Sequence, residues 1–175
     1  MTHRLPLLAV VTGRAGAGKT TLANQLAQRI RCPLVSRDAI LEGLAHTVGT
    51  QHTQDDETKL AVYNTFFENI ELLLRARVSL VADAAFQHAR WAHKLEPMRP
   101  LCDLRIIVCD LSPDLSWRRV KQRDSMDPER GQFHVMPEPN AKYDPPVLDV
   151  PTLKLETSAT LDSVVNRALD FISKG

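Results

Sequence analysis

Apolar residues along this chain follow two alternating periods, which predict strands and helices in turn. Short continuous apolar runs, each ended by a glycine or a polar residue, are typical of strands that are buried on both faces of a parallel sheet. The first run ends at Gly13 and the third at Asp83. Five strands are predicted in this way: Leu5–Thr12, Pro33–Ser36, Val78–Ala82, Leu104–Cys109 and Leu153–Thr157.

Between these runs, apolar residues recur three or four positions apart, which is the spacing along one face of a helix. The longest such segment contains Tyr63, Phe66 and Phe67, and its aromatic stripe is predicted to belong to the core. In a later helix, Ser112 is expected to cap the first turn and Pro113 to occupy it. Helices are predicted at residues 18–30, 38–45, 60–77, 87–96 and 161–173, with one more that begins at Pro113.

Strand and helix signals alternate from end to end. This pattern predicts an α/β fold of three layers, in which helices cover both faces of a five-stranded, mainly parallel sheet. A chain of 175 residues is expected to form a single domain over residues 1–175. Residues 125–147 follow neither period and contain five prolines, so they are predicted to form a long surface loop. Ligands of parallel sheets bind outside the carboxyl ends of the strands, so polar residues there are the candidates for a site.

Composition narrows the class of protein. With 43% hydrophobic and 25% charged residues, the chain has ordinary globular values, which exclude a disordered or collagen-like protein. The formal net charge of +1 argues against a surface that binds polyanions, so a nucleic-acid partner is not expected. Cys32, Cys102 and Cys109 lack C-x-x-C spacing and are expected to be buried thiols of a cytoplasmic protein.

Residues 1–17 superficially fit a secretory signal peptide, because a basic start is followed by an apolar run and by small residues. Pro6 interrupts the apolar run, however, and Arg14 lies beside the supposed cleavage site. Secretion is therefore not expected. No stretch of the sequence approaches the roughly 18 consecutive apolar residues of a membrane-spanning helix, so no membrane association is expected either.

The segment that ends the first strand, Gly13-Arg-Ala-Gly-Ala-Gly-Lys-Thr20, is a complete G-x-x-x-x-G-K-[ST] motif, or Walker A motif. Its glycines let consecutive N–H groups converge on phosphate oxygens, and the next helix adds the positive end of its dipole. Lys19 brings a cation to the β- and γ-phosphates, and the Thr20 hydroxyl is a ligand for Mg²⁺. The motif predicts a P-loop NTPase fold with ATP and Mg²⁺ as cofactors. The residues expected to bind the nucleotide are Gly13, Arg14, Ala15, Gly16, Ala17, Gly18, Lys19, Thr20 and Thr21.

Two carboxylates at strand ends are candidates for the remaining parts of such a site. Asp83 follows an apolar strand in the manner of a Walker B carboxylate and is predicted to bind Mg²⁺ with Thr20, although it can instead cap the next helix. Asp38 follows the second strand, where it can accept a proton from a substrate hydroxyl as a general base. It can equally cap a helix that starts at Ala39, and the residues alone leave both alternatives open.

Basic residues are concentrated in the helix that begins at Pro113. Arg119 and Arg123 lie four positions apart on one face, and Arg130 follows in the predicted loop. Arginines that close over the γ-phosphate stabilise the negative charge that spreads over its oxygens during phosphoryl transfer. The competing interpretation is a solvated basic face that complements the helix dipole. Arg123 and Arg130 are predicted to be catalytic, and Arg123 also to contact the nucleotide.

Taken together, these residues resemble the small P-loop kinases of the polynucleotide-kinase-like and chloramphenicol-phosphotransferase-like group, often labelled AAA-type ATP-binding proteins. The resemblance implies that Asp38 activates the acceptor hydroxyl, and that residues 125–147 form a lid whose arginines contact ATP and the transferred phosphate. It also implies that Arg37 and Arg90 line the acceptor side together with Asp38. The segments that carry it are Gly13–Thr20, Val35–Asp38, Val81–Asp83 with Arg90, Arg123–Gly131 and Leu148–Thr152.

The chain departs from this group at two places. The group commonly has Asp-x-x-Arg after its second strand, whereas Leu41 stands at the arginine position here, and Ala84 and Ala85 replace polar residues after Asp83. These departures favour a small hydroxylated acceptor over a nucleic-acid end. The expected function is an ATP- and Mg²⁺-dependent phosphotransferase acting on a small-molecule hydroxyl. The alternatives are a nucleotide-binding switch or ATPase without an acceptor, and a nucleoside or nucleotide kinase.

Overall fold

The strands of the protein form one parallel sheet in the order β2-β3-β1-β4-β5. The computed structural model describes residues 4–49, 55–127 and 142–174. All five predicted strands are confirmed, with bounds that differ from the predicted ones by no more than two residues, and every described pairing in the sheet is parallel. The strands are Leu7–Gly13 (β1), Leu34–Ser36 (β2), Leu80–Asp83 (β3), Asp103–Asp110 (β4) and Thr152–Glu156 (β5).

The helices also lie where the apolar spacing predicts them. The second helix is longer than predicted because Ser36 caps its first turn and its last turn continues to Gly49, whose φ of 90° ends it. The fourth stops at Leu95 and continues as a 3₁₀ turn over Glu96–Leu101, where two prolines lack the amide that an α-helix uses. The helices are Lys19–Ile30 (α1), Arg37–Val48 (α2), Asp56–Arg75 (α3), His88–Leu95 (α4), Pro113–Met126 (α5) and Leu161–Ser173 (α6).

Two apolar clusters cover the two faces of the sheet and give the fold its three layers. Alternate residues of β1 enter opposite clusters, with Leu8 and Val10 facing α3 and α4, and Ala9 and Val11 facing α1 and α6. This alternation explains why β1 reads as a continuous apolar run. The chain is therefore an α/β protein of the P-loop NTPase type, as its sequence predicts.

The predicted aromatic stripe of α3 lies in the first of these clusters. The Phe66 ring meets that of Phe86 with 5.7 Å between centroids, and the Phe67 ring meets that of Trp91 at 5.2 Å. Tyr63 lies at the margin, 4.8 Å from Trp91 between ring centroids. These rings pack against one another and against the sheet, so their role in the core is confirmed.

The start of the segment 125–147, which is predicted to be a long loop, is helical. Ser125 and Met126 complete α5, and residues 142–147 have neither helix nor strand. Residues 128–141 lie outside the described part of the chain. Among the helices of the described residues, none combines the length and apolar character needed to cross a membrane.

Candidate active site

A cleft of about 620 Å³ opens at the carboxyl edge of the sheet. The residues that line it come from the phosphate loop and the start of α1, from α2, from the turn after β3, from α5, and from the segment that runs from β5 into α6. Among the described residues of this lining, Lys19, Arg119 and Arg123 are cationic and Asp38 is the acidic residue. A cleft of this charge suits a polyanionic ligand.

The phosphate loop is held in shape by close backbone contacts at two of its glycines. A Cβ atom added to Gly13 would lie 2.5 Å from the carbonyl oxygen of Cys109, and one added to Gly16 would lie 2.2 Å from that of Ser116. Gly16 also has a φ of +77°, which side chains rarely tolerate. These positions require glycine because the loop packs directly against β4 and α5.

The loop leads into α1 through Gly18, whose φ of 84° lies in the left-handed region. As the N-cap of α1, Gly18 has no side chain to accept hydrogen bonds from the amides of the first turn, which leaves those amides available to a ligand. The Nζ atom of Lys19 donates to the carbonyl oxygen of Arg14 at 3.0 Å, so the ammonium group lies across the loop. Thr20 and Thr21 line the cleft beside it.

The wall beside the loop is formed by α5, which begins as its sequence predicts. The Ser112 side chain accepts a hydrogen bond from the amide of Leu115, and Pro113 occupies the first turn. One face of the helix brings both Arg119 and Arg123 to the cleft. Arg119 was not among the site residues predicted from the sequence. Its four-residue spacing to Arg123 could have indicated that both arginines lie on the same face of α5.

The two arginines are held differently. Arg119 donates from Nη2 to the carbonyl oxygen of Thr157 at 3.3 Å, which ties it to the segment after β5. Arg123 donates from Nε and Nη2 to Oδ1 of its neighbour Asp124, at 3.0 and 2.9 Å. The Arg123 side chain is 41% exposed, so a nucleotide can compete for its guanidinium group.

Asp38 lies in the cleft and does not cap α2. The cap is Ser36, whose hydroxyl oxygen accepts from the amide of Ala39 at 3.4 Å, so the alternative of Asp38 as the N-cap is wrong. The Asp38 carboxylate accepts from Nη1 of Arg37 at 3.2 Å and remains 36% exposed. Leu41, which stands where the resembled kinase group commonly has arginine, is buried.

Asp83 is the last residue of β3 and is buried. It does not cap the next helix, because α4 begins only at His88 with Gln87 as its N-cap. The strand register places it beside Val11 on one side and Ser36 on the other, at the floor of the carboxyl edge.

The donor chemistry at this edge fits Mg²⁺, which prefers hydroxyl, carboxylate, phosphate and water oxygens. Thr20 supplies a hydroxyl in the cleft, and Asp83 supplies a carboxylate. Over the described ranges 4–49, 55–127 and 142–174, no group of three or more histidine, cysteine or acidic side chains could hold a metal by itself. One hydroxyl and one carboxylate are a donor set that is typical of a magnesium ion bound largely through a nucleotide's phosphates.

Two buried thiols, Cys109 at the carboxyl edge of the sheet and Cys102 at the opposite edge, are not poised as nucleophiles. Burial is the main cause that raises the pKa of Cys109 to about 12; the charge of Lys19 opposes this rise and the charge of Asp83 adds to it. Burial and the nearby Asp103 raise the pKa of Cys102 to about 11. A thiol with such a pKa is protonated and inert at neutral pH, as expected for a buried core cysteine.

A contact that the sequence does not reveal joins β1 to the returning end of the predicted loop. The Tyr143 hydroxyl is hydrogen-bonded to that of Thr12, which also accepts from the amide of Phe86 at 2.9 Å. Burial is the main cause that raises the pKa of Tyr143 to about 12. The link spans 131 residues of sequence, so no local pattern could have indicated it.

Several predicted site residues within the described ranges are not among those that line this cleft, namely Gly13, Arg14, Ala17, Arg37, Asp83 and Arg90. Arg90 lies on the exposed side of α4, where its carbonyl oxygen accepts from the Tyr63 hydroxyl at 2.8 Å. Arg130 lies outside the described residues. Both assignments remain predictions.

The chain matches a known family and several solved structures. The model of a family described as an AAA domain matches residues 8–146, whereas no curated protein matches the chain in sequence. A provisionally named kinase from Chloroflexus aurantiacus J-10-fl is 21% identical, with 96% of this chain and 99% of that chain covered and a TM-score of 0.81. A gluconokinase from Sinorhizobium meliloti 1021 is 18% identical, with 98% and 94% covered and a TM-score of 0.62.

A third solved structure is the APS kinase of Mycobacterium tuberculosis in complex with AMPPNP and APS. It is 16% identical, with 98% of this chain and 100% of that chain covered and a TM-score of 0.67. Identities this low establish a common fold only. The family match, in contrast, covers most of the chain and includes the phosphate loop, Asp38 and the arginines of α5. The chain therefore belongs to this AAA domain family, which is one of the P-loop kinase families.

Proposed function

We propose that the protein is an ATP- and Mg²⁺-dependent phosphotransferase that transfers the γ-phosphoryl group to a hydroxyl of a small molecule. The observation that carries the proposal is the presence of Asp38 in the same cleft as a complete phosphate loop and two arginines. A partly exposed carboxylate at that place can receive the proton of an acceptor hydroxyl, a role that nucleotide binding alone does not require. The family match and the kinase neighbours support the same interpretation.

The nucleotide is assigned to the phosphate loop and α5. Amides of the loop and of the first turn of α1, together with the Lys19 ammonium group, would hold the β- and γ-phosphates. Ala159, Leu161 and Val164 give the cleft an apolar part near the Arg119 guanidinium group, which suits a flat nucleobase. When bound, Mg²⁺ supplies neutralisation of the phosphate charge, and Thr20 and Asp83 are the residues that would hold it.

In the proposed reaction, Asp38 receives the proton of the acceptor hydroxyl as the oxygen attacks the γ-phosphorus. The bond between the γ-phosphorus and the bridging oxygen breaks, ADP leaves, and the proton passes from Asp38 to solvent. Lys19 and Arg123 stabilise the charge on the phosphoryl oxygens, and Arg130 is proposed to do the same from the predicted loop. Arg37, which holds Asp38, and Arg90 are proposed to bind the acceptor.

The acceptor side supports a small alcohol. Ala85 lines the cleft where related kinases have polar side chains, and the described lining has no basic stripe that would follow a nucleic-acid backbone. A sugar, a sugar acid or a similar polyol is the proposed acceptor class, in keeping with the name of the gluconokinase neighbour.

The test is a screen for phosphoryl transfer. Candidate alcohols that raise the melting temperature of the Mg·AMPPNP-bound protein are assayed with ATP for ADP release and for a phosphorylated product. Lys19→Ala should weaken nucleotide binding or turnover. Asp38→Asn should slow transfer about 10²- to 10⁴-fold, the range for loss of a general base, while AMPPNP affinity changes by no more than about threefold.

Asp114→Asn is the matched control, because Asp114 is the second residue of α5 after the cap Ser112, just as Asp38 is the second residue of α2 after Ser36. It removes the same charge from the same helix position but lies on the exposed surface, and its activity should equal that of the wild type. An Asp38→Asn enzyme with wild-type transfer would remove the base assignment. ATP hydrolysis without any phosphorylated alcohol, unaffected by Asp38→Asn, would favour an ATPase.

A further inference from the structure

The hydroxyl of Thr157 lies directly behind the phosphate loop. Thr157 follows β5 and is buried, at 7% exposure. Its Oγ1 atom donates to the carbonyl oxygen of Ala17 at 2.8 Å and lies 3.2 Å from that of Asp110. Because a hydroxyl has one proton, the shorter contact to Ala17 is the stronger hydrogen bond. Ala17 is itself fully buried, so the Thr157 hydroxyl is the polar partner that its carbonyl meets on that side.

This hydrogen bond fixes the direction of a group that a phosphate would contact. The peptide bond between Ala17 and Gly18 is planar and trans, so the carbonyl of Ala17 and the N–H of Gly18 point in opposite directions. With the carbonyl held toward Thr157, the N–H of Gly18 is turned to the other side of the loop. Gly18 lines the cleft.

The loop has little stiffness of its own at this place. Gly16 and Gly18 flank Ala17, both with positive φ values, and a glycine can leave such a conformation as easily as adopt it. An external anchor on the carbonyl between them therefore restricts rotation of the Ala17–Gly18 peptide. Such pre-organisation strengthens ligand binding, since the loop does not have to be ordered when the ligand arrives.

The main chain of Thr157 also makes hydrogen bonds to β4 and α5, which border the cleft. Its amide donates to the carbonyl oxygen of Asp110 at the end of β4, at 3.0 Å. Its carbonyl accepts from Nη2 of Arg119 at 3.3 Å. One buried residue thus contacts the phosphate loop, the edge of the sheet and the arginine helix.

We propose that Thr157 is a positioning residue for nucleotide binding, whose hydroxyl orients the Ala17–Gly18 peptide toward the polyphosphate. The proposal rests on the nucleotide site assigned above and adds a residue that the phosphate-loop motif does not contain. It predicts a selective effect: deletion of the hydroxyl weakens binding of the phosphates and leaves binding of the nucleoside unchanged, because Arg119 is held by the Thr157 main chain.

The test compares three ligands, namely Mg·AMPPNP, inorganic tripolyphosphate with Mg²⁺, and adenosine. Affinities are measured by calorimetry, directly or by displacement of AMPPNP. In Thr157→Val, which keeps the shape and deletes the hydroxyl, AMPPNP and tripolyphosphate should bind about tenfold more weakly, as expected for one lost buried hydrogen bond. Adenosine affinity should stay within about twofold of the wild type.

Two further comparisons separate positioning from general loosening of the fold. Thr157→Ser and Thr157→Ala differ by one oxygen atom, so the serine variant should bind tripolyphosphate like the wild type and the alanine variant should bind it like Thr157→Val. If Thr157→Val does not fold, the serine and alanine variants take its place in the test. Thr152→Val removes a hydroxyl from the far end of β5, where it donates to the carbonyl oxygen of Val150, and should change no affinity.

Wild-type tripolyphosphate affinity in both Thr157→Val and Thr157→Ala would overturn the proposal, as would an equal loss of all three ligands. These results are distinct from a failure of the proposed function. If the folded wild-type protein binds neither AMPPNP nor tripolyphosphate, the nucleotide site itself is refuted, and the role of Thr157 with it.

Discussion

The phosphate-binding part of the cleft is made largely of main chain from one continuous segment, whereas the proposed acceptor side is made of side chains from separate elements. Residues 13–21 supply the whole phosphate loop, and buried contacts from β4, α5 and Thr157 hold it from behind. On the proposed acceptor side, Asp38 and Arg37 come from the start of α2, Ala85 follows β3, and Arg90 lies on α4.

This difference in construction determines which positions of the cleft tolerate substitution and which do not. A loop packed at 2.2 to 2.5 Å from the position of an added Cβ tolerates almost no substitution, so its chemistry can be recognised from a short motif. Partly exposed side chains such as Asp38 and Arg37 can be exchanged without disturbing the core. The phosphate-loop part of the proposed transfer can therefore be recognised in the sequence, whereas the identity of the proposed acceptor depends on exposed positions that vary among proteins of one fold.

The largest expected effect comes from placing a methyl group in the rigid side of the cleft. Gly16→Ala would bring a Cβ within 2.2 Å of the Ser116 carbonyl oxygen and 3.0 Å of the Val120 side chain, at a φ of +77°. We expect AMPPNP affinity to fall by about 100-fold or more and the free energy of unfolding to fall by about 2–4 kcal/mol. Calorimetry and urea denaturation measure the two quantities.

Gly43→Ala is the matched control for this change. Gly43 lies in the exposed middle of α2, and nothing lies within 4 Å of the position that its Cβ would take. We expect unchanged AMPPNP affinity and a gain of about 0.5–1 kcal/mol in the free energy of unfolding, because alanine is the better helix former. A Gly16→Ala protein that binds AMPPNP normally would show that the loop is not rigid, and would remove the contrast between the two sides.

A smaller effect on catalysis and binding is expected from a substitution in α5, which brings Arg123 to the cleft. Arg123→Ala removes a guanidinium group that now pairs with Asp124, is partly exposed and lines the cleft. We expect kcat to fall by about 100-fold, the range for loss of one group that stabilises the transition state, while AMPPNP affinity falls by less than about tenfold. Steady-state kinetics on the phosphorylated alcohol, together with calorimetry, would give this split.

Arg118→Ala is the control for the arginine helix, because Arg118 is exposed on α5 and does not line the cleft. Its kcat and AMPPNP affinity should stay within about twofold of the wild type. Equal effects of Arg118→Ala and Arg123→Ala would mean that α5 contributes only general positive charge, which is the solvated-face interpretation of the basic run.

The parts of the fold that depend on local patterns could be predicted from the sequence. The apolar run of β1, the glycine motif and the four-residue spacing in α1 lie next to one another, so each supports the interpretation of the others. The cap at Ser112 could be predicted for the same reason. The 3₁₀ turn at Glu96–Leu101 was missed because a proline indicates the end of an α-helix without specifying the conformation of the next residues.

The parts that join distant segments could not be predicted. Thr157 is 140 residues from Ala17, and Tyr143 is 131 residues from Thr12, and neither contact leaves a local signature. Asp38 shows the intermediate case: its sequence allowed a helix cap or a catalytic base, and the observation that Ser36 occupies the cap decided against the first. Burial and competing hydrogen bonds decide these contacts and roles, and a sequence motif contains neither kind of information.

The smallest expected effects lie on the acceptor side, where they would locate the substrate. Arg37 holds Asp38 through a single partly exposed ion pair, and such pairs contribute about 0–1 kcal/mol. We therefore expect Arg37→Ala to leave stability and AMPPNP affinity unchanged and to raise the acceptor KM by about three- to tenfold, since a cation that would contact the acceptor is lost.

Arg90→Ala provides the comparison, because Arg90 is exposed on α4 and does not line the described cleft. If Arg90 contacts only the outer part of the acceptor, steady-state kinetics should show a rise in KM of about twofold, and thus a larger effect at Arg37 than at Arg90. The opposite order would place the acceptor along α4, away from Arg37. In that case the substrate would bridge α4 and Asp38, and the acceptor side would be wider than the cleft at the phosphate loop indicates.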